Sequence, residues 1–145
     1  MPWVEPFAVK DGSREPQRLA LYLTAGLFAT HPKHRVAAPL AQGLAQVKLK
    51  RGSDSIERRF IALLGADAES LPVHLRHAVA LLAAEDLPCD FVLLADDLAR
   101  WLDPWQDEAR DRVRQRWARD FYRQLAKNDD TDTPDTNPTT QEVLP

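Results

Sequence analysis

Four arginines in the last third of the sequence recur at the spacing of one helix face. Arg112, Arg116, Arg119 and Arg123 are separated by four, three and four residues. At 100° per residue they fall within about 60° of one another. They lie roughly opposite the apolar stripe of the same helix, which consists of Val113, Trp117, Phe121 and Leu125. Guanidinium groups stay charged and bind phosphate through paired hydrogen bonds, so this spacing predicts an exposed cationic ridge that could follow a nucleic-acid backbone.

An ordinary solvated helix face is the alternative explanation of this ridge. Glu108 precedes Arg112 by four residues, and Asp120 follows Arg116 by four, so both acids could form ion pairs along the helix. Charged helix faces more often keep a helix in water than bind a ligand. The spacing alone leaves both interpretations open.

A second basic group lies in the middle of the sequence. Lys48, Lys50 and Arg51 fall in a predicted loop, and Arg58 and Arg59 follow on the next predicted helix. Cations at the C-terminal end of a helix are favoured by its dipole, so the first three need no ligand to be explained. Arg58 and Arg59 point about 100° apart, so we expect at least one of them to be free.

Two His-x-x-His pairs invite a metal interpretation. His31 and His34 surround a predicted turn, whereas His74 and His77 lie one turn apart on a predicted helix. A zinc site needs three or four ligands, and the single Cys89 completes no recognised zinc motif. If the protein were a metal-dependent enzyme using His74 and His77, elemental analysis would detect bound zinc. We find no phosphate-binding glycine loop or nucleophile motif either, and therefore predict no catalytic residue, metal or cofactor.

The apolar spacing predicts an all-α fold, a single-domain bundle of about six helices. The first predicted helix covers residues 17–30, the second opens at Pro39, and the third is capped by Asp54 with Glu57 as its capping-box partner. The fourth covers residues 71 to about 85, and the fifth covers residues 91–101 with Asp90 as its cap. The sixth is a long helix from Asp103-Pro104 to about Lys127. The first helix is expected to be the central one. Packing best explains Phe60, Leu64, Leu75, Val79, Trp101, Trp117 and Phe121.

The two ends of the sequence differ in composition from the middle. Residues 1–16 form a proline-containing leader in which Trp3, Val4 and Phe7 could dock on the body, and residues 17–127 form the helical domain. Residues 128–145 carry five acidic residues and no lysine or arginine, and we expect them to be disordered. The body then carries two more basic than acidic residues, although the whole chain has a net charge of −3. One hypothesis is that this tail shields the basic surface from nonspecific nucleic acid.

The remaining composition bounds the cellular context. Cys89 is the single cysteine, so no intrachain disulfide can form and a reducing compartment is favoured. No apolar stretch reaches the length of a signal peptide core or a membrane span. We therefore expect a cytoplasmic protein with no membrane partner.

Five ordered sequence blocks resemble a known family. They are LFATHP at 27–32, SIERRFIALLGAD at 55–67, LPVHLRHAVALL at 71–82, PCDFVLLADDLARW at 88–101 and VRQRWARDFY at 113–122. In order and spacing they are similar to the CasB family, the small subunit of the type I-E CRISPR Cascade surveillance complex. The resemblance covers roughly residues 18–125 and leaves out the leader and the tail.

The resemblance implies a non-enzymatic structural subunit that sits in the complex as a pair with a second copy of itself and contacts other Cascade subunits. It also implies contacts with the backbone of the crRNA–target DNA hybrid and with the displaced strand, which would stabilise the R-loop in antiviral defence. Arg58, Arg59, Arg76, Arg116 and Arg119 match the family's blocks and are the expected nucleic-acid contacts, with Arg112, Arg123, Lys48, Lys50 and Arg51 as neighbours.

A rival hypothesis keeps the fold but changes the partner. In it the chain is a helical protein-interaction module whose arginine face pairs with acidic patches on neighbouring subunits without touching nucleic acid. Under the first hypothesis, replacing Arg116 and Arg119 with alanine is expected to weaken DNA binding and leave the fold intact. Under the rival, the same variant fails to co-purify with the complex.

Overall fold

The computed structural model describes residues 15–132, with side chains from Glu15 to Lys127. Its six helices are α1 (Glu15–Thr30), α2 (Leu40–Arg51), α3 (Asp54–Leu64), α4 (Leu71–Ala84), α5 (Phe91–Trp101) and α6 (Asp107–Asp132). The described residues contain no strand, and one isolated bridge joins His34 to Cys89. The predicted all-α fold is confirmed. Most of the predicted leader, and the tail beyond residue 132, lie outside the described residues.

The helix ends follow local hydrogen bonding, which corrects three predicted boundaries. Ser53, not Asp54, caps α3, because its hydroxyl oxygen accepts a hydrogen bond from the Ser55 amide. The Asp103 carboxylate accepts from the Trp105 amide and closes a turn, so α6 begins only at Asp107. At its other end α6 continues five residues past the predicted end at Lys127. The predicted cap at Asp90 is confirmed by its hydrogen bond from the Leu93 amide.

Helix α2 is the central element of the bundle, and the prediction that α1 holds this place is wrong. Helix α2 packs against α3, α4 and α6, whereas α1 packs mainly on α5. Ala45 and Val47 of α2 are fully buried, but Leu19 of α1 is 44% exposed. Small residues let α2 approach its neighbours: a Cβ on Gly43 would lie 2.7 Å from a methyl group of Leu82. The apolar pattern of α1 could not reveal that one of its sides is left uncovered.

Aromatic pairs join α3, α5 and α6 in the core. Phe60 stacks on Phe121 with ring centroids 4.2 Å apart, and Trp101 meets Trp117 edge to face at 5.0 Å. These four residues were predicted core residues and all are buried, as are Leu75 and Val79, while Leu64 is partly buried. The α6 backbone is thereby fixed against α3 and α5.

Two of the four histidines hold the connection between α1 and α2 against the start of α5. His31 is buried, and its Nε2 donates to the carbonyl of Leu87 at 2.7 Å. His34 accepts a hydrogen bond from the Phe91 amide at Nδ1, 3.1 Å away. Backbone hydrogen bonds from Arg35 to Cys89 and from Cys89 to Lys33 complete the junction. These histidines therefore satisfy backbone groups.

The Cys89 thiol is buried at this junction, and burial raises its pKa to about 12. At pH 8 only about one thiol in 10⁴ would be ionised, so we expect the native protein not to react with iodoacetamide. Unfolding in urea should expose the thiol and restore a rapid reaction, which mass spectrometry would record. Rapid alkylation of the native protein would contradict the buried position.

Candidate nucleic-acid interface

Five arginines on three helices are exposed without an acidic partner. Arg58 and Arg59 belong to α3, Arg76 to α4, and Arg119 and Arg123 to α6. None of their guanidinium groups makes a hydrogen bond or ion pair with another of the residues that the structure describes, and we call them the free arginines. They are five of the ten predicted nucleic-acid-binding residues. An exposed guanidinium with no carboxylate keeps all its N–H donors available for phosphate.

The packing of α3 against α4 and α6 brings the helices that carry the free arginines side by side. Stacking of Phe60 on Phe121 fixes the α3–α6 contact. Beside that stack, the Tyr122 hydroxyl donates to the Glu57 carboxylate at 2.9 Å. Arg58 and Arg59 follow Glu57 along α3, and Arg123 follows Tyr122 along α6. Their backbones therefore flank one helix–helix contact.

Arg116 is not a free member of the predicted ridge, which is a correction. Its guanidinium donates to the carboxylate of Asp97 on α5, and its side chain is 34% exposed. Asp97 itself is 2% exposed, and the same oxygen accepts from the indole N–H of Trp117 at 2.8 Å. Arg116 precedes Trp117 on α6, so its direction places it at the edge of the buried stripe rather than opposite to it. The pair fastens α6 to α5.

Asp97 is the buried partner of Arg116 that the sequence analysis missed. It lies on the face of α5 that carries Leu94 and Trp101, at helical spacing from both. An acid on an apolar face signals a buried partner, and that signal was present in the sequence. Its second oxygen, Oδ1, is buried and has no hydrogen-bond partner in the described part of the protein. The neighbouring Asp96 forms an i, i+4 ion pair with Arg100.

Asp120 lies among the α6 arginines and neutralises none of them through an ion pair in the described structure. Burial raises the pKa of its carboxyl group, and the charges of Arg116, Arg123 and Arg119 oppose that rise. The predicted Asp120–Arg116 ion pair is therefore not formed, because Arg116 turns to Asp97. The predicted Glu108–Arg112 pair is present but long, at 3.9 Å between two exposed side chains.

Lys48, Lys50 and Arg51 were predicted to lie in a loop, but the structure places them in a helix and pairs each with a carboxylate. They occupy the last turn of α2, which ends at Gly52 in the left-handed conformation (φ 62°). Lys48 contacts Asp54 at 3.0 Å, while Lys50 and Arg51 both bind Glu85, at 3.0 and 2.8 Å. The hydrogen bonds from Lys50 and Arg51 lower the pKa of the Glu85 carboxyl. These three cations therefore form local ion pairs, which the free arginines do not form within the described part of the chain.

A groove of about 490 Å³ separates α3 from α4 near the free arginines. Its floor is apolar and includes Phe60 and Ala78, while Arg59, His74 and His77 contribute polar groups to its lining. No group of three His, Cys, Asp or Glu side chains within the described residues is arranged to hold a metal ion. His74 and His77 therefore have no third ligand there. No helix in the described range is long and apolar enough to cross a membrane.

Comparison with known proteins now decides the family. The family model described as CRISPR-associated protein Cse2 matches residues 1–122. A Cse2 protein of Thermus thermophilus is 42% identical over 123 residues, which cover 84% of this chain and 67% of the relative. The chain belongs to the CasB/Cse2 family of CRISPR-associated proteins. The family resemblance expected from the five sequence blocks is thereby confirmed.

Solved family structures share the fold described above. The crystal structure of CasB from Thermus thermophilus superposes with a TM-score of 0.67 at 41% identity, over 84% of this chain and 72% of the other. The crystal structure of M. ruber CasB superposes with a TM-score of 0.75 at 34% identity, over 91% and 80%. The helical bundle is thus a family property.

Proposed function

We propose that this chain is a non-catalytic structural subunit of a crRNA-guided type I-E CRISPR surveillance complex, Cascade, in the cytoplasm. In this proposal it contacts the sugar–phosphate backbone of crRNA, target DNA or the displaced strand and so stabilises the R-loop. It sits in the complex with a second copy of itself and with other Cascade subunits. Membership of the CasB/Cse2 family supports the assembly, and the free arginines support the backbone contact.

The energetics of R-loop formation explain why such contacts would matter. The guide–target hybrid is about as stable as the DNA duplex that it replaces, so the exchange is nearly balanced. Contacts with backbone phosphate are independent of sequence and can therefore tip the balance for any guide. A subunit in this role needs exposed cations and no catalytic group.

The observation that carries the proposal is the division of the basic residues into two sets. Lys48, Lys50, Arg51 and Arg116 form ion pairs with carboxylates, whereas the five free arginines form no ion pair within the described residues. An unpaired guanidinium gains most from phosphate because no internal ion pair has to be broken first. The free arginines, with Arg112 beside them, are the proposed contacts.

The proposal is tested with an Arg119→Ala/Arg123→Ala variant in the assembled complex. We expect it to co-purify with the other subunits and crRNA but to bind target duplex more weakly, because two phosphate contacts are lost. Gel-shift titration measures affinity, and pull-down measures assembly. The protein-interaction module would be favoured instead if the variant failed to co-purify while any complex that did assemble bound target duplex with unchanged affinity.

A matched control is the Lys48→Ala/Lys50→Ala variant. It removes the same number of charges from side chains that already have acidic partners. We expect target affinity to change much less than in the arginine variant. Equal losses in the two variants would show that net charge, and not the free arginines, determines binding.

Removing residues 128–145 is expected to strengthen nonspecific DNA binding by the isolated chain. The segment contains five acidic residues and no basic residue, so it lowers the positive potential around the body. Fluorescence anisotropy with an unrelated single-stranded DNA at low salt measures the effect. The Thr139→Ser/Thr140→Ser variant of the full chain is the control. Unchanged affinity after truncation would discard a shielding role for the tail.

A further inference from the structure

An apolar groove between α1 and α5 is left uncovered in the described part of the protein. It has a volume of about 530 Å³, and its lining includes Leu21, Ala25, Phe28, Val92 and Ala95. Leu21 is 49%, Phe28 42% and Val92 72% exposed. Monomeric proteins rarely leave several large apolar side chains exposed together unless another surface covers them.

We propose that residues 3–7 of this same chain occupy the α1/α5 groove, with Trp3 and Phe7 as anchors. The leader has the complementary chemistry: Trp3, Val4 and Phe7 are apolar, and aromatic rings release the most free energy on burial. Pro2 and Pro6 restrict the backbone of the leader and so lower the entropy cost of docking. This inference is independent of the proposed nucleic-acid contacts.

The length of the leader permits this docking in cis. The leader joins α1 at Glu15, and helical rise places Leu21 to Phe28 about 9–20 Å along the α1 axis. Six residues lie between Phe7 and Arg14, and the seven extended steps from Phe7 to Arg14 span up to about 25 Å. The dipeptide Asp11-Gly12 is a turn-forming pair that would let the leader reverse and run back along α1.

The other grooves suit the leader less well. The α3/α4 groove is lined by Arg59, His74 and His77, which would be desolvated by an aromatic occupant. The pocket beside the α1–α2 connection contains Arg35 and Gln42 and has as much polar as apolar surface. In the α1/α5 groove the lining is mostly apolar, with His34 as its one ionisable residue among those described. The apolar lining therefore makes the α1/α5 groove the best match for the apolar side chains of the leader.

The test is a spin label on the leader of the full chain, read by NMR. A Glu5→Cys variant places one reactive thiol between Trp3 and Phe7, because Cys89 is buried and its thiol stays protonated. We expect the label to cause selective loss of amide signal at Leu21–Phe28 and Val92–Ala95, with the α3/α4 signals unchanged. No selective loss, or loss centred on another face, would overturn the proposal.

Three controls make the result specific. The first control mixes spin-labelled protein without ¹⁵N with ¹⁵N-enriched protein that carries no spin label. The amide signals of the ¹⁵N protein must stay intact, because their loss would show that the leader of a second copy occupies the groove and would overturn docking in cis. Val92→Asp should abolish the effect, whereas Val36→Asp, at an exposed position outside the groove, should preserve it. Trp3→Ala/Phe7→Ala should also abolish it, and Trp105→Ala, on an 88% exposed side chain, should not. Insensitivity to Val92→Asp and to the leader variant would contradict the proposed anchors.

Discussion

Replacing Arg116 with alanine is expected to destabilise the folded protein by about 3–5 kcal/mol, the usual cost of leaving a buried charge without its partner. Asp97 is 2% exposed, and without Arg116 its remaining donor among the described residues is the indole N–H of Trp117. Its Oδ1 already lacks a partner among the described residues, so no nearby group replaces the guanidinium. Urea denaturation followed by circular dichroism measures the loss directly.

Arg119→Ala is the matched control for this prediction. It removes the same side chain three residues further along α6, from an exposed position without an ion pair, and should change stability by no more than about 0.5 kcal/mol. Arg116→Ala combined with Asp97→Asn should recover part of the lost stability, because the buried charge is removed as well. Equal stability of the Arg116→Ala and Arg119→Ala variants would contradict the structural role of Arg116.

This role changes how arginine variants must be designed. The Arg116→Ala/Arg119→Ala variant was expected from the sequence to leave the fold intact. With Arg116 bound to Asp97, a loss of DNA binding in that variant would mix unfolding with loss of phosphate contacts. Variants confined to the free arginines avoid the ambiguity.

Removing all five free arginines should produce the largest effect on nucleic-acid binding. Each lost phosphate contact lowers the slope of log affinity against log salt by about 0.9 for duplex DNA and about 0.7 for single strands. If every free arginine makes one contact, the slope of the assembled complex should fall by about 3.5–4.5. Between 50 and 200 mM salt the variant would then lose roughly 100- to 500-fold less affinity than the unaltered protein.

The control for that measurement changes paired cations instead. Lys48, Lys50 and Arg51 are engaged by Asp54 and Glu85, so their replacement should leave the salt slope nearly unchanged. The stability of both variants is checked by thermal unfolding. An unchanged slope in a folded five-arginine variant would mean that these side chains do not meet phosphate.

The helices were predictable because their signals are local. Apolar spacing, the Asp90 cap and the Leu71-Pro72 start depend only on neighbouring residues, and the structure has helices at those places. The aromatic core was also predictable, since Trp101 follows Leu94 and Leu98 at helical spacing on α5, and Trp117 and Phe121 follow Val113 on α6. The central place of α2 was not, because it depends on which helices cover one another.

Which cations form ion pairs with which carboxylates could not be predicted from the sequence. Glu85 lies 34 residues from Arg51, and Asp97 lies 19 residues from Arg116, so neither pair shares a helix. The helical spacing predicted one ridge for Arg116 and Arg119, yet Asp97 on α5 engages Arg116 and not Arg119. Separating free from paired cations required the packing of α5 and α2 against their neighbours.

Site-specific photo-crosslinking in the assembled complex tests the central claim most directly. A benzophenone amino acid is placed at Gln115 on α6 or Ala62 on α3, both exposed near free arginines, and at exposed Trp105, between α5 and α6, for comparison. We expect ultraviolet crosslinks to crRNA or target DNA from positions 115 and 62 and none from 105. Crosslinks only to protein at 115 and 62, or equal nucleic-acid crosslinks at all three positions, would contradict it.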